Sequence, residues 1–230
     1  MIAEIESREK IAILVGGTGF YLRSLVQPFF EAPPTDPELR ERFRKIRRRK
    51  GPEHLHRMLQ RIDPASAERL FPRDYVRVSR AMEFYFQTGE KFSAKQPARG
   101  TPPAFASRVR LFVLNPPRDA LYAKIDRRTE AHFQNGLVEE VKRLRAARIS
   151  DETNALGSHG YRRVCEYLRG ERTLESAIDK TRQDIRNYAN RQLTWFRREP
   201  DAVWLNGFGT DEAVRQQMLN VIDGTKVITK

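Results

Sequence analysis

Ile11-Ala-Ile-Leu-Val-Gly-Gly-Thr-Gly-Phe-Tyr21 decides how the rest of this sequence is read. Apolar residues run unbroken from Ile11 to Val15 into a glycine cluster, and an aromatic pair and an apolar helical pattern follow. An uninterrupted apolar run of that length predicts a strand buried on both faces, as in a parallel sheet. Glycines at its end let the backbone turn sharply and approach a ligand closely at the carboxyl edge of such a sheet. The strand would start only ten residues after Met1, with little chain before it to supply parallel neighbours.

Working outward, Tyr21 to Phe30 reads as a short helix, and Pro28, Pro33 and Pro34 break it. Asp36-Pro-Glu38 restarts a helix with an N-cap, a proline at the first turn and an acid at the positive end of the dipole. In that helix Leu39, Phe43 and Ile46 form one stripe, while Arg40, Arg44, Arg47, Arg48, Arg49 and Lys50 cover much of the rest. A solvated face and a face turned toward nucleic acid both fit such a charge run. Helices over 53–61, 64–70 and 74–87 follow, and no strand pattern occurs between Glu31 and Gln96. This predicts an all-helical insertion, closed by the connector Gln96-Pro-Ala-Arg-Gly-Thr-Pro-Pro103. Val109–Leu114 returns as a strand, long helices follow, and Val203-Trp-Leu205 reads as a last short strand. The expected division is therefore core over 1–32, helical insertion and connector over 33–103, and core again over 104–230.

Lys plus Arg number 43 against 30 Asp plus Glu among 230 residues, a formal net charge of +13. Such an excess points to a polyanion, and nucleic acid is the commonest for a soluble chain. A membrane surface competes, but there is no amphipathic anchor and no apolar run of spanning length. The polar N-terminus is no secretory signal. Cys165 is the one cysteine, which excludes an intrachain disulfide and a thiolate metal cage and suits a reducing cytoplasm. With four scattered histidines, no metal site is expected from the residues themselves.

Gly16-Gly-Thr-Gly19 is neither a Walker A loop, since no Gly-Lys-Ser/Thr follows, nor a dinucleotide fingerprint, since its spacing is wrong. Taken alone it reads as a structural turn. Cys165, among Val164, Tyr167 and Leu168, reads as a core thiol. His159, two residues beyond Gly157 and next to Gly160, fits a catalytic acid, a loop filler or a base-stacking side chain. More telling are Val76-Arg-Val-Ser-Arg80, Lys124-Ile-Asp-Arg-Arg128, Tyr161-Arg-Arg163 and Arg191-Gln-Leu-Thr-Trp-Phe-Arg-Arg198, which mix arginine with aromatic or hydroxyl residues. Arginine supplies bidentate phosphate contacts, and aromatic rings supply stacking surfaces for unstacked bases.

Together, several segments resemble the tRNA dimethylallyltransferases. They are Ile13-Leu-Val-Gly-Gly-Thr-Gly-Phe-Tyr-Leu22, the Asp36-Pro-Glu helix start, Arg77-Val-Ser-Arg-Ala-Met-Glu83, Leu121-Tyr-Ala-Lys-Ile-Asp-Arg-Arg128, Gly160-Tyr-Arg162 and Arg186-Asn-Tyr-Ala-Asn-Arg-Gln-Leu-Thr-Trp-Phe-Arg197. They keep the family's order and cover residues 3–206. The resemblance implies a helix-rich α/β fold, a P-loop-kinase-like parallel sheet core (incomplete here) with an all-helical insertion domain. It also implies transfer of a dimethylallyl group from its diphosphate to N6 of adenosine at tRNA position 37, with Mg2+, by a cytoplasmic monomer. The expected partners are the tRNA anticodon stem-loop and, in the complete enzyme, dimethylallyl diphosphate, with no membrane.

Carried over by that resemblance, Arg128 is the catalytic arginine that neutralises diphosphate or transition-state charge. Gly16, Gly17 and Gly19 line the substrate channel, and Thr18 stands at its base-binding mouth. Asp36, Arg40, Val76, Arg77, Val78, Ser79 and Arg80 contact the tRNA, as do Gly160, Tyr161, Arg162 and Arg191. His159 replaces a residue that is more often apolar in the family and is placed with the tRNA contacts, although its role does not carry over. In the family a phosphate loop and an Asp-Ser motif, whose aspartate is the general base, precede the Gly-Gly-Thr segment, and neither occurs in these 230 residues. The expectation is a fragment or misassigned start of such an enzyme, inactive alone. The alternative is a natural non-catalytic tRNA-binding protein derived from it. A nucleotide kinase is disfavoured, because nothing present can hold a triphosphate.

Overall fold

The computed structural model describes residues 1–95 and 100–226, so Gln96-Pro-Ala-Arg99 of the connector and residues 227–230 lie outside the described residues. The chain is helix-rich, with a small parallel sheet, and forms two compact units: Met1–Gly19 with Arg110–Lys230, and Phe20–Val109.

Among the described residues the second unit contains helices and no strand, as the absence of a strand pattern predicts. It contains α2 (beginning at Gly19 and ending at Val26), α3 (Pro37–Lys50), α4 (His54–Ile62), α5 (Pro64–Arg69), α6 (Tyr75–Thr88) and α7 (Phe92–Lys95), after α1 (Ile2–Glu6) of the other unit. Side-chain caps set the starts. Asp36 Oδ1 accepts from the backbone N–H of Glu38 (2.8 Å) and Leu39 (3.0 Å), with Pro37 at the first turn. Phe43, Leu55, Leu59, Val78, Ala81 and Met82 make the core, and Phe84 meets Phe30 and Phe92 edge-on, each at 5.6 Å. Asp63 pins the unit from within. Its two oxygens accept from the backbone N–H and hydroxyl of both Ser66 and Ser93, at 2.6–3.1 Å. Burial pushes its pKa up, but these four hydrogen bonds outweigh burial and hold it below the ordinary value. The short α7 that Ser93 anchors has no periodic signal in the sequence.

In the first unit β1 (Phe112–Leu114) and β2 (Val203–Leu205) pair in parallel, with Phe112 opposite Val203 and Leu114 opposite Leu205. The strand read over 109–114 is thus shorter than expected. Between them run α8 (Arg118–Gln134), α9 (Leu137–Ala146), α10 (Tyr161–Leu168) and α11 (Leu174–Phe196), and α12 (Glu212–Lys226) follows β2. Leu137 and Val141 of α9, Leu156, and Val164 and Cys165 of α10 form the buried cluster. Cys165 is the core thiol expected, with its pKa raised first by burial. Helices α8 and α11 run antiparallel. Tyr122 meets Asn190, Asp126 meets Arg186 and Glu130 meets Arg182, each step moving four residues in opposite directions.

One expectation is overturned. Ile11–Val15 is not a buried strand but a segment outside any helix or strand, without ladder hydrogen bonds, and Ile11, Ile13, Leu14 and Val15 are 59%, 67%, 63% and 90% exposed. An apolar run becomes a strand only when a neighbour supplies its backbone partners. Among the described residues β1 and β2 pair only with each other. The helix read over 21–30 also ends earlier, at Val26, two residues before Pro28.

Candidate functional site

What the apolar run delivers, despite having no ladder, is the glycine turn, and α11 holds that turn in place. Gln192 Nε2 donates to the Gly17 carbonyl (2.9 Å), and the hydroxyls of Thr18 and Tyr188 lie 3.3 Å apart. A Cβ added to Gly19 would stand 2.1 Å from the Trp195 indole, inside its van der Waals envelope. Tyr188, Gln192 and Trp195 are spaced four and three residues apart, so one face of one helix grips three consecutive residues of the turn. Thr18 stays exposed and Gly16 has nothing within 4 Å of an added Cβ, so the turn is fixed from behind and open in front.

Around Tyr188 two further groups gather. The exposed His159 ring lies 5.3 Å from the Tyr188 ring, tilted by 51°, and the exposed Arg191 guanidinium sits 5.7 Å over the same ring. On the facing helix α8, Tyr122 accepts from Asn190 Nδ2 of α11 (2.8 Å) and from Arg118 Nε (3.0 Å), with the Arg118 and Arg186 guanidinium groups 5.1 and 5.0 Å from its ring centre. The Asn190 bond first, then that from Arg118, lowers the Tyr122 pKa from the ordinary phenol value.

Residues read from the sequence separate into distinct roles. Thr18, Gly17, Gly19, His159 and Arg191 come together at Tyr188, Gln192 and Trp195. Gly160 is buried before α10, and Tyr161 donates to Glu140 (2.8 Å), which with burial raises its pKa. Arg162 is 63% exposed and reaches Glu166 at 3.2 Å. Arg128 is exposed on α8 and makes no hydrogen bond or ion pair with the described residues, and nothing joins it to the turn.

In the helical unit, Asp36 and Arg40 are bound to Glu83, whose side chain is 1% exposed. The Asp36 backbone N–H donates to Glu83 Oε1 (2.7 Å), Arg40 Nε to the same oxygen (3.2 Å) and Arg80 Nη1 to Oε2 (3.1 Å). Arg80 also donates to the Pro33 carbonyl (2.7 Å). Within 76–80 the helix alternates faces. Val76 and Arg77 are exposed, but Val78 (1%) and Ser79 (8%) point into the core and are corrected out of any contact surface. A contiguous pentapeptide cannot present every side chain on one side of a helix.

Sequence reading missed Tyr188, Gln192, Asn190, Tyr122 and the Glu83 clamp. For the α11 residues the spacing of 188, 192 and 195 was the available signal. For Glu83 the signal was a lone acid inside Ala81-Met-Glu-Phe-Tyr-Phe86.

Behind His159, α10 is anchored by Glu166, 9% exposed, which accepts from Arg162, Arg163 (2.8 Å) and Arg172 (2.7 Å). Burial pushes the Glu166 pKa up, but Arg163 and then Arg172 more than offset this and hold it below 4.5. A depressed acid stabilises the fold above its unfolded value and loses that contribution as pH falls through the folded one. Glu166→Gln is therefore expected to flatten the fall in stability below about pH 4.5 and to cost roughly 1–3 kcal/mol at neutral pH. Urea midpoints measured as a function of pH check this, and parallel curves for the two proteins would refute it.

The description IPP transferase matches residues 1–199. The chain is 40% identical over 222 residues to the tRNA dimethylallyltransferase of Koribacter versatilis, covering 96% of this chain and 72% of that one. It is 44% identical over 205 residues to the one from Myxococcus xanthus, covering 89% and 66%. The crystal structure of the full-length tRNA isopentenylpyrophosphate transferase of Bacillus halodurans superposes with a TM-score of 0.62 at 32% identity, over 97% of this chain and 69% of that chain. A eukaryotic dimethylallyltransferase shares the fold, with a TM-score of 0.74 at 24% identity. With the family description running from α1 to the end of α11, and so through both the glycine turn and the helix that grips it, the chain belongs to the IPP transferase family.

Proposed function

We propose that this chain forms the tRNA-facing part of a dimethylallyl transfer, in which a prenyl group passes from dimethylallyl diphosphate to N6 of adenosine 37 in the anticodon loop. The observation that carries the reading is the glycine turn clamped on α11 by Gln192 and Trp195, with Thr18 exposed at its front. An adenine inside a stacked loop is out of reach, so the base must be extruded into a preformed mouth. A turn held by α11 and exposed at Thr18 supports that reading. Its amino group is a weak nucleophile and needs an assisting base, and the departing diphosphate needs cationic donors. Arg128, exposed and unengaged, is the arginine assigned to that charge. Arg77, Arg162 and Arg191 are each exposed, and such arginines are the side chains that meet backbone phosphates.

The described residues contain no group of three or more His, Cys, Asp or Glu placed to hold a metal, so no step is drawn through one. No helix among the described residues is long and apolar enough to cross a membrane.

The 230-residue chain is expected to bind an anticodon stem-loop without prenylating it when alone. Binding should weaken steeply with salt, with log affinity falling by about 0.7–0.9 per phosphate contacted for each tenfold rise in salt. Affinity independent of salt would sink the RNA reading, and prenylated adenosine formed with this chain as sole catalyst would sink the assignment to the tRNA side only. Binding that persists with no transfer under any complementation identifies the second reading, a non-catalytic tRNA-binding protein.

A further inference from the structure

We infer that His159 and Tyr188 form a stacking shelf for an unpaired nucleobase beside the glycine turn, a subsite separate from the mouth that takes the reacting adenosine. The inference rests on the RNA-facing reading above.

The loop that carries His159 is built to hold it still. Leu156, 1% exposed, plugs the loop into the buried cluster of α9 and α10. Successive turns, Gly157 N–H to the Thr153 carbonyl (3.0 Å) and Ser158 N–H to the Ala155 carbonyl (3.2 Å), lead to the buried Gly160. The Ser158 hydroxyl adds a bond to the Ala155 carbonyl (2.7 Å). Yet the imidazole carried by this fixed backbone is exposed, and it makes no hydrogen bond or ion pair with the described residues. A loop-filling histidine would be buried or would spend a ring nitrogen on a neighbour. His159 does neither; its one ring contact is Tyr188 at 5.3 Å.

Tyr188 in turn is braced by Thr18 on one side and by the Arg191 guanidinium on another. The result is an exposed ring, tilted by 51° against a second ring and flanked by an exposed cation, next to the turn. That composition suits a single-stranded base, since every base has a π-face and the adjoining phosphate meets arginine. An aliphatic side chain at this position would fill space without offering a ring face, so histidine gives this chain a contact that an aliphatic residue does not.

The test uses the full chain and an anticodon stem-loop carrying 2-aminopurine at one loop position at a time, with fluorescence reporting stacking and titration reporting affinity. At one position the wild-type chain should change the emission by stacking. His159→Ala should abolish that signal and lower affinity roughly 5- to 150-fold, the range for removing one stacking ring. His159→Phe should keep both, because it keeps the ring and removes the nitrogens. If His159→Ala binds and reports like wild type, or if His159→Phe behaves like His159→Ala, the shelf is overturned while the RNA reading stands. If the wild-type chain does not bind the stem-loop at all, the RNA reading falls and the shelf with it.

Discussion

Glu83→Ala is expected to destabilise the helical unit by about 3–5 kcal/mol, the usual cost of removing one partner from a buried ion pair. The carboxylate is 1% exposed, and three donors converge on it: the Asp36 backbone N–H, Arg40 and Arg80. Burying a charge is costly unless it is paired and hydrogen-bonded, so the pairing offsets that cost only while every member is present. Removing the carboxylate leaves the Arg80 guanidinium, 27% exposed, without its charge partner. Arg40, 42% exposed, can turn to water, which draws the estimate toward the lower figure. The clamp also ties the entry of α3 to α6, because the Asp36 that caps α3 hangs from Glu83. Hydrogen exchange should therefore show α3 and α6 losing protection together. Glu83→Gln should lose about half as much, since its carbonyl still accepts from Asp36. Unchanged protection of both helices in Glu83→Ala would refute the clamp.

Gly19→Ala is the second large effect, and comparison with Gly17→Ala makes it specific. At Gly19 the new methyl would lie 2.1 Å from Cε3 and 2.4 Å from Cδ2 of the Trp195 indole. That indole is a rigid fused ring, packed edge-on against Phe196 at 5.1 Å, so it cannot fold away. At Gly17 the clash is also at 2.1 Å, but with the terminal amide nitrogen of Gln192, which swings aside by rotating its own side chain. Overpacking a fitted contact costs about 1–3 kcal/mol, occasionally more, and Gly19→Ala belongs at the upper end. Gly17→Ala should lose only the hydrogen bond to the Gly17 carbonyl, about 1 kcal/mol. Near-ultraviolet circular dichroism of Trp195 and stem-loop affinity both read the difference. Equal losses in the two variants would show that the turn is not seated on the indole.

Much of the fold was legible because helices carry local signals. Caps at Asp36 and Asp74 and the glycine after Thr88 mark helix ends within a few residues, and the gap in strand pattern from 31 to 96 marks the helical unit. The family too was legible, since Gly-Gly-Thr-Gly-Phe-Tyr-Leu22 and Arg-Gln-Leu-Thr-Trp-Phe-Arg197 are long enough to be specific. The site was legible only as a set of separate residues. Gly17 and Gln192, or Asp36 and Glu83, show no relation when read along the chain.

By itself, then, the sequence determined most of the helices, the basic charge that selects a polyanion, and the kinship of the chain. Helical period, capping and composition act over a few residues and need no partner. Only the tertiary structure decided that Ile11–Val15 stays unpaired as a strand and exposed, that Val78 and Ser79 face inward, and that one face of α11 grips the glycine turn. Strand pairing, burial and side-chain contact across 175 residues depend on what the folded chain places opposite, and no local pattern encodes that.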